Sequence, residues 1–175
     1  MNKLLLKTLV VLMFILVIGC EDYDVEDSEI DPDANWRDIS IKDVNSGEEF
    51  SIGEFQDKKV LIHVFAVWCT SCWLQGEQLK ELEENDNLVF VSLDADPNED
   101  ETILTEYIGR LDFNWRFVNS PPYLTRSLID EFGVAVVNPP WDPIILVCED
   151  KSARLLGKGV KSAETLREEI KKGCD

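Results

Sequence analysis

Short apolar runs separated by turn residues dominate the chain from residue 36 onward. "KKVLIHVFAV" (58–67), "NLVFVSLD" (87–94) and "PIILVC" (143–148) are β-branched and nearly continuous in apolar residues. That is the pattern of strands covered on both faces. "DISIKD" and "EEFSI" flank "VNSG", which predicts a hairpin turning at Asn45 to Gly47. "NWRFV" is a further short strand, and "ARLLGKG" is expected to pair with "PIILVC". Helical spacing fills the gaps. One helix should follow Cys69 to about Glu84, with Leu79 and Leu82 inward. A second, capped by Asp96 or Asn98, carries Glu99, Asp100 and Glu101 in its first turn and Ile103, Leu104, Tyr107, Ile108 and Leu111 on its apolar face. A third runs from Pro122 through Phe132 and closes at Gly133. Ser162 caps the last, with Leu166 and Ile170 one turn apart and Gly173 after its end. The order β-β-β-α-β-α-β-α-β-β-α implies an α/β fold, a central mixed sheet with helices on both faces.

The first 35 residues follow other rules. Lys3 and Lys7 precede an unbroken apolar run of eleven residues, Leu9 to Gly19. A bilayer span needs about 20, so this is the length of a secretory leader. It ends in "VIGC", which resembles the lipobox of prokaryotic lipoproteins. That resemblance implies cleavage after residue 19 and lipid attachment at Cys20. Residues 21–33 hold eight acids in thirteen positions, too little apolar content for a core. The expected organisation is a signal peptide (1–19), an acidic tether (20–35) and one domain (36–175), on the extracytoplasmic face of the membrane.

The formal charge is -18, from 35 acidic and 17 basic residues. That argues against nucleic acid or anionic headgroups as partners. Outside the cytosol disulfides persist, which changes the meaning of the five cysteines at 20, 69, 72, 148 and 174. Cys148 lies in an apolar strand and reads as core. Cys174, next to the chain end, reads as a free or labile thiol rather than the partner of Cys148.

"WCTSCW" (68–73) carries the chemistry. A zinc site commonly needs four ligands in paired clusters, and the chain has one CxxC, one histidine and isolated further cysteines. A purely structural disulfide across so short a loop removes little unfolded-state entropy. The pair falls where a buried strand hands over to a helix. Cys69 there meets unpaired N–H groups and the positive end of the helix dipole, which stabilise a thiolate, the species that attacks disulfides.

With these residues in place the chain resembles the thioredoxin superfamily, in particular its membrane-anchored TlpA/ResA-like branch. "VLIHVFAVWCTSCW" is similar to the family's strand, Trp-Cys-x-x-Cys and helix, "SGEEFSIGEFQDKKVLIHVFA" to the branch's hairpin and strand, and "FGV" with "PIILVCEDKSARLLGKG" to the proline-headed closing hairpin. The resemblance spans residues 38–172. It implies a thioredoxin-like fold in which Cys69 is the exposed nucleophile, Cys72 the shielded resolving cysteine, and His63 the proton relay. Trp68, Trp73, Asp142 and Pro143 would line the substrate groove. Pro143 would be the cis-proline, ahead of its rivals Pro139 and Pro140, with the Asp142 backbone offered as an edge to substrate. Ser71 stands where the family usually has proline, and Glu77 where a helix proline is common.

The expected function is an extracytoplasmic thiol–disulfide oxidoreductase without cofactor or metal. It would be a monomer with protein thiol or disulfide substrates, an upstream electron-donor protein and a lipid anchor. An Asp142 carboxylate beside Cys69 would disfavour the thiolate and tilt the protein towards reduction. The alternative is an extracytoplasmic copper- or metal-binding chaperone of the same fold.

Overall fold

A computed structural model of the chain describes residues 34–82 and 87–174. The leader, Cys20 and nearly all of the acidic tether lie outside the described residues, as does the expected helix end near Glu84.

The strands are β1 (Ile41–Lys42), β2 (Glu49–Phe50), β3 (Lys59–Phe65), β4 (Leu88–Asp94), β5 (Arg116–Asn119), β6 (Ile144–Val147) and β7 (Ala153–Leu155). The helices are α1 (Thr70–Lys80), α2 (Glu101–Leu111), α3 (Pro122–Phe132) and α4 (Ala163–Lys172). β1 and β2 form a separate antiparallel hairpin. The main sheet has the order β5-β4-β3-β6-β7, with β4 parallel to β3 and β5, and β6 antiparallel to β3 and β7.

Period-two alternation assigns each strand residue to one of two cores. Leu61 and Phe65 of β3, Phe90 of β4, and Ile144 and Leu146 of β6 face a cluster that contains Cys69, Cys72 and Leu79, Leu104 and Tyr107 of α2, and Leu166 of α4. Val60, Ile62 and Val64, Val89 and Val91, and Ile145 and Val147 face the opposite cluster, with Leu124 and Leu128 of α3, Trp36 and the hairpin residues Ile41 and Phe50. The nearly unbroken apolar runs are thus two interleaved faces, both covered. The Asp43 carboxylate fixes the hairpin: it accepts from the backbone of Asn45 and Ser46 and also from Phe117 of β5, which docks the turn on the sheet.

Two local readings differ from expectation, and one glycine is fixed by packing, since a Cβ at Gly76 would stand 2.7 Å from Cζ of Phe113. Asp100, rather than Asp96 or Asn98, caps α2, accepting from the backbone of Thr102 and Ile103. Asp96 is held instead by Trp68 and Asn98. Cys148 and Cys174 are joined in a disulfide, with Cα atoms 6.0 Å apart. The C-terminal end of α4 is drawn to the β6–β7 hairpin by cations that satisfy its last carbonyls. Arg154 donates to Gly173 and Glu169, and Lys59 to Ile170. Cys148 shares the strand face that meets α4, so the returning terminus reaches it.

Candidate active site

The Cys69–Cys72 disulfide sits at the start of α1, its Cα atoms 5.3 Å apart. β3 ends at Phe65, and the loop to the helix is tied by Glu99, whose carboxylate accepts from Val67 N at 2.8 Å. Cys69 is the N-cap, and its Sγ accepts from the backbone N–H of Cys72 at 3.2 Å. A sulfur at an N-cap satisfies an orphan helix donor and lies at the positive end of the dipole. Cys72 is fully buried and Cys69 is 4 % exposed. The exposed nucleophile that the resemblance implied is not seen here, since both cysteines are buried in the disulfide form.

Trp68 (59 %), Trp73 (40 %) and Trp141 (38 %) are exposed around this point. Trp68 is steadied by its indole N–H on Asp96 Oδ2 at 2.6 Å. Lys158 Nζ lies 3.3 Å from the centroid of the Trp141 ring.

The opposite wall is built differently from expectation. Among the described residues there is no cis peptide bond, so Pro139, Pro140 and Pro143 are all trans. The chain turns here by other means. Residues Pro139–Trp141 form a 3₁₀ turn that ends at Asp142 in the left-handed region, φ 49° and ψ 56°, a conformation that aspartate tolerates. Asp142 consequently does not present its backbone as a free edge. Its N–H is spent on Pro139 O at 2.8 Å, and its carbonyl accepts from Lys161 Nζ at 2.6 Å. The Pro143 carbonyl accepts from Val64 of β3.

The side chain of Asp142 does reach the sulfurs. One of its oxygens lies within 4.8 Å of both Cys69 Sγ and Cys72 Sγ. The residue is only 2 % exposed, and Oδ1 has no hydrogen-bond partner. Burial raises the Asp142 carboxyl above the usual carboxylate range, against the pull of a Ser71 hydrogen bond and the Lys161 charge. Cys69, Cys72 and Asp142 are also the one trio among the described residues whose atoms converge as a cation site would need. The disulfide takes both sulfurs out of that donor set.

His63 lies on the same sheet face as Leu61 and Phe65, stacked on Phe65 with centroids 5.6 Å apart. It is 3 % exposed with an unpartnered Nε2. Burial, helped by the Lys161 charge, lowers its pKa to about 3, so the imidazole is neutral throughout the physiological range.

Sequence reasoning missed Lys161 and Gln75. Lys161 is buried, and burial lowers its pKa to about 8 although the Asp142 charge opposes the shift. Its ammonium donates to the carbonyls of Asp142 and Gly159, each at 2.6 Å. The Gln75 amide on α1, fully buried, clamps the Lys161 backbone at both N–H and C=O. The dithiol helix therefore positions the lysine, and the lysine positions Asp142. Lys161 belongs to "GKGVKSAE", a loop that reads as solvated. A buried glutamine one turn past Cys72 was the available signal.

Solved structures provide the comparison. No protein-family model matches the chain, and no curated protein matches it. A secreted disulfide oxidoreductase of Mycobacterium tuberculosis, homologous to E. coli DsbE, is 17 % identical with a TM-score of 0.59, over 80 % of this chain and 98 % of that one. The thioredoxin-like architecture is shared. A DsbF homologue from Corynebacterium diphtheriae is 18 % identical with a TM-score of 0.64, over 77 % and 83 % of the two chains. StoA from Bacillus subtilis is 18 % identical with a TM-score of 0.58, over 74 % and 93 %. The thioredoxin-like fold, with its added N-terminal hairpin, is as the resemblance implied.

Proposed function

We propose that the protein is a thiol–disulfide oxidoreductase that works outside the cytoplasm, lipid-anchored through Cys20, and reduces disulfides of protein substrates. One observation carries the reading: a CxxC disulfide at the N-cap of a helix, with Cys69 Sγ accepting a backbone N–H. That placement stabilises a thiolate at the outer cysteine, and the inner one is a helical turn away, ready to resolve a mixed disulfide. The thioredoxin-like neighbours, one of them a secreted oxidoreductase, support the same reading. Trp68, Trp73 and Trp141 offer aromatic contact area to an extended cysteine-bearing segment. The reducing direction rests on Asp142. A carboxyl beside the sulfurs stabilises the thiolate form less, which makes the couple a weaker oxidant. An upstream thiol protein would return the electrons.

Insulin reduction and trapping test this function. Cys72→Ser should accumulate mixed disulfides through Cys69, and Cys69→Ser none; equal trapping by both rejects the assignment. A potential as oxidising as about -120 mV would reject the reducing direction. Mass spectrometry of the mature N-terminus should find lipid on Cys20, and an intact Met1 would refute the anchor.

A further inference from the structure

Given a dithiol that exchanges with substrate disulfides, we propose that Asp142 is the proton carrier of the exchange, working with the Ser71 hydroxyl, and that His63 does not fill this role. The geometry selects the residue. Asp142 is almost wholly buried, its carboxyl lies within 4.8 Å of both sulfurs, and Oδ1 has no partner. An unpaired buried carboxyl oxygen is costly unless it has a use. The Ser71 hydroxyl stands 3.5 Å from Cys69 Sγ and draws the carboxyl's pKa down, which sets it beside both the outer sulfur and the acid. Cys72 Sγ lies 3.1 Å from the Pro139 carbonyl. In the reduced protein its S–H can donate there, which holds the thiol protonated and leaves it in need of a base.

The step balances as follows. The Cys69 thiolate attacks the substrate disulfide, forms the Cys69–substrate bond and releases the first substrate thiolate. The Asp142 carboxylate takes the proton from Cys72 S–H. The Cys72 thiolate attacks Cys69 Sγ, the Cys72–Cys69 bond forms and the Cys69–substrate bond breaks. The second substrate thiolate receives the proton from the Asp142 carboxyl, through Ser71. Two electrons pass from the dithiol to the substrate, and the carboxylate is restored.

The groups facing Asp142 fit this cycle. From α1 come Cys69, Ser71 and Cys72, and from the loop before α4 comes Lys161. Lys158 covers Trp141, the residue before it. Burial lifts the carboxyl above the usual carboxylate range, which makes its carboxylate a stronger base than an exposed one. His63, on β3, is held neutral down to about pH 3 and is too weak a base to draw a proton from a thiol.

The test is resolution of a preformed mixed disulfide between Cys69 and thionitrobenzoate, followed by release of the coloured thiol in single turnover across the pH range. Wild type should show an inflection below the thiol range. Asp142→Asn should lose that inflection, slow release on the order of 10²-fold near pH 6, and rise in step with hydroxide. Asp142→Glu should restore the inflection, Ser71→Ala should slow release and move the inflection upward, and His63→Asn should leave the profile in place. Parallel wild-type and Asp142→Asn profiles, or an inflection lost with His63, would overturn the proposal while leaving the oxidoreductase reading intact. No release from wild type at any pH would sink both. Asparagine removes a buried charge and keeps the shape, so the variant is expected to fold.

Discussion

Cys69 and Cys72 are three residues apart, and Cys148 and Cys174 are twenty-six apart. The first pair caps the start of a helix under exposed tryptophans. The second ties a strand end to the C-terminus. Chain entropy assigns them different work: closing the long loop is worth about 3.5 kcal/mol of stability, and closing the short one about 2. Their surroundings differ as much. Near the first lie His63, Asp142 and Lys161, buried groups whose pKa values are all displaced by loss of solvent. Near the second, Arg154, Glu169 and Lys172 form ordinary ion pairs at a helix end. One region holds groups whose ionisation is costly, the other groups that are already satisfied. Such an asymmetry separates a redox couple from a brace.

The most direct way to break the comparison is to remove each bond. Cys69→Ser should abolish turnover and cost about 2 kcal/mol of stability, the smaller of the two losses. Cys148→Ser with Cys174→Ser should cost about 3.5 kcal/mol in urea denaturation and leave the rate of exchange at Cys69 unchanged. A graded glutathione buffer, read by thiol alkylation and mass spectrometry, should reduce the first pair at a higher potential, with the second resisting to below about -300 mV. If Cys148–Cys174 opens first, the roles are reversed.

How far the sequence disclosed this depends on range. Strands β3, β4 and β6 were readable because burial on two faces leaves a continuous apolar run. Helices α3 and α4 were readable because Pro122, Gly133, Ser162 and Gly173 act within a few residues of themselves. The dithiol was readable because spacing and position are local. What failed is set by contacts distant in sequence. Cys174 finds Cys148 only because Arg154 and Lys59 draw in the end of α4. Gly76 answers to Phe113, and Lys161 to Gln75 across 86 residues. The trans Pro143 follows from a 3₁₀ turn and a left-handed aspartate, a solution that resemblance to a cis-proline strand concealed.

The pH dependence of stability should sort with the same division. Asp94, buried at the end of β4, is raised to about 8 by desolvation, against the pull of the Asp96 backbone N–H and with Glu99 adding to the rise. The folded state keeps this proton while the unfolded state loses it near pH 4. Stability therefore falls as pH rises from about 4 to about 8. His63 acts in the opposite sense. The unfolded histidine binds a proton near 6.5 and the folded one only near 3, so stability falls as pH drops through that window. Urea midpoints across pH should show Asp94→Asn gaining on wild type as pH rises, and His63→Leu flattening the acid limb. Substituting Glu169, held below the usual carboxylate range by Lys172 and Arg154, should act only at the acid end, below pH 4.5. An acid limb that persists in His63→Leu would remove the histidine from the account.

Packing beneath the dithiol gives a smaller effect. Gly76→Ala gains about 1 kcal/mol of helix propensity. Its Cβ, however, would meet the Phe113 ring at 2.7 Å. Phe113 is itself held in a stack with Trp115 and Phe117. Overpacking costs about 1–3 kcal/mol, so a net loss of about 1 kcal/mol is expected by thermal unfolding. A stabilised variant would show that the ring yields.

The smallest effect sits on the groove rim. Lys158 lies over Trp141, and nearby loop atoms hold Lys161. The two lysines look alike in sequence, yet one is a buried strut and the other an exposed cover. Lys158→Ala removes a cation–π contact worth about 0.5–1 kcal/mol and uncovers the ring. Stability should hardly move. Apparent affinity for an apolar cysteine peptide should shift by no more than about fivefold, with the single-turnover exchange rate unchanged. Lys161→Ala strips the Asp142 carbonyl of its partner and should change the rate as well. Should both substitutions alter affinity alone, Lys161 does not position Asp142, and the aspartate is held by the turn and Ser71.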